Sequence, residues 1–240
     1  MVKRLLDVVL AALALVAAAP VLVLAAAGIR ASSRGPIFYR AVRLGQRRRP
    51  FVMYKLRTMH VTPDEPGHAI TAPGDRRVFR FGAWLRRAKV DELPQLFNVL
   101  RGDMSIIGPR PEVPRLVAEH YSPVQCETLA VRPGLASPGS LYCYTHGERL
   151  LSPDDPVGSY TEQLLPLKLA LDLVYVRRAS LGYDLALIAR TAWVLGTALL
   201  GRRRFPLPPE LPAARRILQP EGASAARHPR AGSEVLPQCD

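Results

Sequence analysis

The chain has 240 residues, enough for one domain of moderate size or for one domain with a membrane element and a tail. Its hydrophobic fraction of 48% is ordinary, but a formal net charge of +13 excludes a neutral cytosolic enzyme and points to polyanionic partners: nucleic acid, anionic lipid headgroups or phosphorylated metabolites. Only four of the 33 basic residues are lysines, so a compositional bias toward arginine contributes to the excess without removing it, and three scattered cysteines supply no zinc pattern.

The first element is apolar. Between Leu5 and Ile29 the only charged side chain is Asp7, and such a run is long enough to cross a hydrocarbon core of ~30 Å as a helix. A cleaved signal peptide is one rival reading, with Ala17-Ala18-Ala19 as its small-residue site, but Asp7 and Pro20 argue against cleavage. Simple spanning is the other. Both flanks are basic, with Lys3 and Arg4 before the run and Arg30, Arg34, Arg40, Arg43 and Arg47 to Arg49 after it. Both ends therefore prefer the cytoplasmic side. Pro20, near the middle, removes a backbone donor and bends a helix. The expectation is a helix-break-helix that enters and leaves by one face, with Pro20 at the membrane bend.

Ile37 to Arg40 reads as a short strand, and Leu44-Gly45-Gln46 as a turn ahead of a basic cluster. Phe51 to Met59 alternates as a second strand, with Lys55 and Arg57 on one face. Residues 61–77, with three prolines and two glycines, read as a surface loop. Arg80 to Lys89 predicts a short helix with Phe81, Trp84, Leu85 and Ala88 on one side. Next, Leu93, Leu96, Phe97 and Leu100 recur at helical spacing, with Asp91 as N-cap and Gly102 as the stop. On that pattern alone the acidic Asp91-Glu92 pair is a helix cap. The neighbours add a second reading. Gly108-Pro109-Arg110-Pro111 is stiff and extended, and Arg86 lies five residues before Asp91, so two guanidinium groups come near a helix start suited to anions. A carboxylate there is either a ligand for a phosphate-bearing Mg2+ or a nucleophile toward phosphorus. Farther on, Leu185, Ile188, Ala189, Ala192, Trp193 and Gly196 share a helical face followed by Arg202 to Arg204, which fits an interfacial helix or a core helix. Residues 205–240 are rich in proline and read as a disordered tail.

The stretch from Asp91 to Pro111, Asp-Glu-Leu-Pro-Gln-Leu-Phe-Asn-Val-Leu-Arg-Gly-Asp-Met-Ser-Ile-Ile-Gly-Pro-Arg-Pro, resembles the core motif of the bacterial sugar transferases, the monotopic polyprenyl-phosphate phosphoglycosyl transferases. Lys3-Arg4 with Asp7, Tyr54 to Met59, Val131 to Gly134, and Asp172 with Tyr175-Val176 extend the resemblance from about residue 3 to 204. After Arg132-Pro133-Gly134 the chain departs from the continuation usual in the family, with Leu135-Ala136-Ser137-Pro138 in its place.

The resemblance implies an α+β, predominantly helical fold: a re-entrant hairpin over residues 1–33, a membrane-associated catalytic domain over 34–204, and the tail over 205–240. With the hairpin at its N-terminus the chain resembles the short form of the family. The implied reaction moves a sugar-1-phosphate from a UDP-sugar to polyprenyl (undecaprenyl) phosphate and releases UMP, as the first membrane step of glycan assembly. Asp91 would be the nucleophile, forming a covalent phosphosugar intermediate, with Glu92 its acidic partner and Mg2+ held at the pair. Arg86 and Arg110 would bind phosphate, with Lys55 and Arg132 as further candidates. The implied location is the cytoplasmic face of the bacterial inner membrane, among membrane lipids, with oligomer formation left open. Rival readings are a non-catalytic basic adaptor at the membrane and a metal-dependent phosphatase or nucleotidyl transferase; no nucleic-acid-binding motif is present, and nucleic acid is not expected as a partner.

Overall fold

The structure is a computed structural model and describes residues 1–61, 74–152 and 154–219. Most of the loop expected over 61–77 lies outside the described residues. The chain is predominantly helical with two small sheets, as an α+β reading requires.

Helix α1 (Val2–Ser32) is long and apolar enough to cross a membrane by length and composition. It runs as helix on both sides of Pro20, with no non-helical residue at the expected break. Proline removes one backbone donor and crowds the carbonyl four residues earlier, which a helix absorbs by bending, and the alanine-rich flanks favour helix on either side. Asp7, Ala11, Ala25 and Ile29 are buried on a stripe continued by partly buried Leu15 and Leu22. That i, i+4 stripe faces the body along the whole helix, while Leu5, Val9, Leu13, Val16, Val23 and Leu24 on other faces are exposed.

Strands β1 (Phe38–Leu44) and β2 (Pro50–Leu56) form an antiparallel hairpin in which Ala41 pairs with Met53 and Tyr39 with Lys55. Ala41 and Met53 pack on Ala11, Leu96, Val99 and Met104, seating the hairpin between α1 and α3 (Gln95–Arg101). Helix α2 (Arg80–Arg87) buries Gly82 and Leu85, whereas Trp84, expected on the inner side, is exposed and stacks on Phe81. In α3, Leu96 is buried and Leu93 and Leu100 pack beside it, but Phe97 is exposed. Gly102 ends α3 with φ of +94°, a left-handed conformation that favours glycine.

Strand β3 (Ser105–Ile107) pairs in parallel with β4 (Gly134–Ala136). Gly108 lies directly on the Pro133–Gly134 backbone with no room for a Cβ, and the Gly108 N–H donates to Ala136 O at 2.9 Å. Helix α4 (Pro114–His120), α5 (Pro138–His146), the short α6 (Pro156–Ser159) and α7 (Leu165–Arg178) complete the body. A Ser137–Ser140 capping box starts α5, and Leu116, Val117, Leu164, Leu165 and Leu169 form the core beneath α4. Helix α8 (Leu181–Leu199) buries Asp184, Leu187 and Val194. The face noted in the sequence is mostly the opposite one: Leu185, Ala189, Ala192, Trp193 and Gly196 are exposed, and Arg202 stacks over Trp193 at 4.8 Å.

The tail does not begin at residue 205. Glu210 accepts hydrogen bonds from Tyr183 and Arg190, and α9 (Leu211–Leu218) buries Leu211 and Ala214, the latter beside Ala170, Leu171 and Val174 of α7. Proline in the first turn of α9 is compatible with helix because that N–H has no helical partner. Residues 220–240 lie outside the described residues.

Candidate active site

Asp91 and Glu92 sit on a tight turn, Val90–Glu92, between α2 and α3. The turn is entered through Lys89, whose φ of +57° reverses the chain after α2. Asp91 is not a helix cap: no side-chain bond caps either the turn or α3, whose N-cap position is Pro94. The capping account of the acidic pair is thereby removed.

The two carboxylates differ sharply. Arg110 grips Glu92 through both oxygens, with Nη2 to Oε1 at 2.6 Å and Nη1 to Oε2 at 3.1 Å. Lys55 reaches Oε1 at 3.2 Å and Lys89 at 3.5 Å. Burial would raise the Glu92 carboxyl, but Arg110, then Lys55 and Lys89, hold it well below the ordinary carboxylate range. Asp91 is buried, and its Oδ1 has no hydrogen-bond partner. Burial, then the charge of Glu92, raises its carboxyl against the pull of Lys55, Lys89 and Arg86. A buried carboxylate oxygen without a partner costs free energy that a purely structural role does not offset.

The cations are delivered by separate elements. Lys55 projects from β2, and Asn98, fully buried on α3, fixes that strand: its Nδ2 donates to Val52 O at 2.7 Å and its Oδ1 accepts from Tyr54 N–H at 3.1 Å. Burial lowers the Lys55 ammonium, with Glu92 opposing. Arg110 leaves the sheet on the Gly108–Glu112 turn. That turn is pinned by Gly134 N–H to Pro109 O at 2.9 Å and Leu44 N–H to Glu112 O at 3.0 Å. Glu112 itself accepts from Lys168 and, at 2.9 Å, from the Tyr160 hydroxyl, both buried. Asp172 of α7 accepts the Gly139 N–H at 2.9 Å, and burial pushes its carboxyl up to about 6.

Of the residues expected from the sequence, Asp91, Glu92, Lys55 and Arg110 come together, with Arg86 half-buried on the last turn of α2 and within electrostatic reach of Asp91. Arg132 is exposed ahead of β4, and among the described residues no ion pair joins it to the acidic pair. Pro20 lies inside α1 and, among the described residues, makes no hydrogen bond or ion pair with the cluster. The sequence reading missed Lys89 and the positioning residues Asn98, Glu112 and Lys168. A buried asparagine inside an apolar helical pattern was the available signal for Asn98.

The pattern of one family, described as bacterial sugar transferase, matches residues 1–198. The chain belongs to the bacterial sugar transferase family. It is 42% identical over 185 residues to the UDP-glucose:undecaprenyl-phosphate glucose-1-phosphate transferase of Caulobacter vibrioides, covering 76% of this chain and 65% of that protein. The protein of the same description from Xanthomonas campestris is 36% identical, over 76% of this chain and 36% of its own length. A UDP-N-acetylgalactosamine-undecaprenyl-phosphate N-acetylgalactosaminephosphotransferase of Aeromonas hydrophila is 33% identical, over 76% and 41%. The chain thus spans less than two thirds of the length of these relatives. The relatives of this family member are named for different sugars.

Proposed function

We propose that this sugar transferase moves a sugar-1-phosphate from a UDP-sugar to undecaprenyl phosphate, releasing UMP, through a covalent phosphosugar on Asp91. The observation that carries the reading is the pairing of a buried, unpartnered Asp91 oxygen with a carboxylate neighbour saturated by three cations. In the first step an Asp91 oxygen attacks the phosphorus nearest the sugar, and the bond to the UMP oxygen breaks. In the second, an oxygen of the lipid phosphate attacks the same phosphorus and expels Asp91. A phosphomonoester with a second pKa of ~6 is largely ionised at neutral pH, so the acceptor requires no general base. What the site must supply is a nucleophile and fixed positive charge. Arg86, Arg110, Lys55 and Lys89 supply that charge, Arg110 and Lys55 being held ready by Glu92. Arg132, exposed, is assigned only to the outer edge of the substrate.

The donor set also fits Mg2+. Among the described residues no cluster of three or more His, Cys, Asp or Glu side chains could hold a metal alone, and Mg2+ is ordinarily bound through one or two carboxylates with substrate phosphates and water. Asp91 is the carboxylate with a free oxygen; Glu92 is occupied by its cations and is the weaker ligand of the two. When bound, the ion would neutralise charge on the diphosphate as the phosphorus is attacked.

We further propose that α1 lies in the cytoplasmic leaflet without crossing it, with the site at the headgroups. At ~1.5 Å per residue its 31 residues measure about 46 Å, and a straight span would part its ends across the bilayer. Both ends instead bind one body. Lys3 pairs with Asp184 at 2.7 Å, Arg4 donates to Val99 O at 2.6 Å, and Arg57 donates to Ser33 Oγ at 2.7 Å and Ser33 O at 2.8 Å. The exposed α8 face with Trp193 and Arg202 would rest at the same interface. The lipid-linked product would feed glycan assembly. The test is UMP release from detergent-extracted protein given Mg2+, undecaprenyl phosphate and a panel of UDP-sugars. Release with at least one sugar is expected, reduced about 10^3-fold or more in Asp91→Asn. No release with any sugar, or an active Asp91→Asn, would sink the reading.

A further inference from the structure

The described residues include three non-glycine positions with positive φ; Lys89 enters the acidic turn, and the other two are adjacent and away from it, Arg47 at +54° and Arg48 at +60°. They are the central residues of the turn joining β1 and β2, closed by Arg49 N–H to Gln46 O at 3.3 Å. A tight hairpin favours two left-handed residues, and Asn-Gly meets that need with least strain. Here both positions are arginine, Arg49 follows, and all three side chains are exposed. Strained backbone of this kind persists where the surroundings over-determine it, and it concentrates at ligand-binding elements.

The surroundings say which ligand. The Phe51 ring lies under the turn, 3.2 Å from where a Cβ on Gly45 would stand. It packs in the same cluster as Ala11 and Leu15 of α1. Beside Leu15, the other faces of α1 leave Leu13 and Val16 exposed. The outer face of the hairpin exposes Phe38, Val42 and Val52. The three arginines therefore stand at the tip of a hairpin whose inner face packs toward α1 and whose opposite face exposes apolar side chains beside Arg40. Apolar area edged by cations is the composition that binds an anionic lipid surface, and guanidinium groups there would reach phosphate oxygens rather than hydrocarbon.

We propose that the Arg47–Arg49 turn docks on anionic phospholipid headgroups, a second membrane contact that sets the tilt of the body on the bilayer. The proposal rests on the reading that α1 lies in the membrane. Neither the acidic pair nor its cations take part in it.

The test uses the full chain in nanodiscs of phosphatidylcholine with and without phosphatidylglycerol, comparing wild type, Arg47→Asn/Arg48→Gly and Arg47→Lys/Arg48→Lys. Hydrogen–deuterium exchange of the hairpin is followed together with Tm. Phosphatidylglycerol should slow exchange of the wild-type hairpin by about an order of magnitude or more, roughly fivefold for each arginine at an anionic surface. The lysine variant should keep most of that response. The Asn-Gly variant, keeping only Arg49, should lose most of it while its Tm in phosphatidylcholine rises by about 2–4 °C as backbone strain is relieved. An equal phosphatidylglycerol response in wild type and the Asn-Gly variant would overturn the proposal alone. So would an unchanged response accompanied by a raised KM for the nucleotide sugar, which would assign the arginines to substrate. A wild type that fails to enter phosphatidylcholine discs would overturn the membrane reading and the proposal with it.

Discussion

Asp91 and Glu92 are consecutive residues whose carboxyl groups meet opposite surroundings, and the difference can be measured. Glu92 is the shared anion of Arg110, Lys55 and Lys89, so Glu92→Gln leaves three half-buried cations without their partner. A loss of about 2–4 kcal/mol in unfolding free energy is expected, measurable by denaturant melts. Because the folded Glu92 carboxyl is held below its ordinary 4.5, its contribution is present above that value and lost as pH falls through the lower folded one. Asp91 behaves oppositely. Its carboxyl is raised from 3.8, so the acidic limb of the rate of UMP release should lie above the ordinary aspartate value. Lys89 escaped the sequence reading for a physical reason: helical spacing placed it at the polar end of α2, but its left-handed backbone turns it back onto Glu92.

Among the elements, α7 illustrates how buried charge supports the site from behind. Asp172 is fully buried, accepts the Gly139 N–H, and has its carboxyl raised from 3.8 to about 6. The folded state therefore holds this proton more tightly than the unfolded chain, and stability falls as pH rises through that window. Relative to Asp172→Asn, the wild type should lose up to about 3 kcal/mol between about pH 4 and pH 6, read from denaturation midpoints at both ends of the range. A constant difference across the range would contradict this. Elements with strong periodicity were legible in the sequence: α1, α2, α3 and the strands β1 and β2 lie near where their patterns placed them, though β1 extends to Leu44, β2 stops at Leu56 rather than Met59, and α3 starts at Gln95 rather than from an Asp91 cap. Strands β3 and β4 were not, because a three-residue parallel pair shows no period and its pairing is set by the close approach of Gly108 and Gly134. The start of the tail was misread because prolines that open α9 have the composition of a disordered segment. Within the site, Arg110 was legible from its rigid turn, but its partner was not, since its contact with Glu92 joins residues 18 apart.

For the molecule as a whole, the proposed membrane contact would give the excess of positive charge and the apolar α1 a common use. The helix offers a stripe to the body and its remaining faces outward, and Asp7 ties it down by accepting from Ser105 Oγ at 2.9 Å and Ile106 N–H at 3.0 Å. Cysteines introduced at Val2 and Arg34, both exposed, should react with an impermeant maleimide in inverted vesicles and stay unlabelled in intact cells. Labelling at Val2 in intact cells would make α1 an ordinary span. The anchored body would then hold Asp91 level with a lipid phosphate, and the account turns on what that carboxylate does. The most direct measurement is peptide mass spectrometry after mixing detergent-extracted protein with Mg2+ and the active UDP-sugar in the absence of undecaprenyl phosphate. The account predicts UMP released in proportion to enzyme and a sugar-phosphate mass on the peptide containing Asp91, cleared when undecaprenyl phosphate is added. UMP release only in the presence of the lipid acceptor, with no added mass on Asp91, would contradict it.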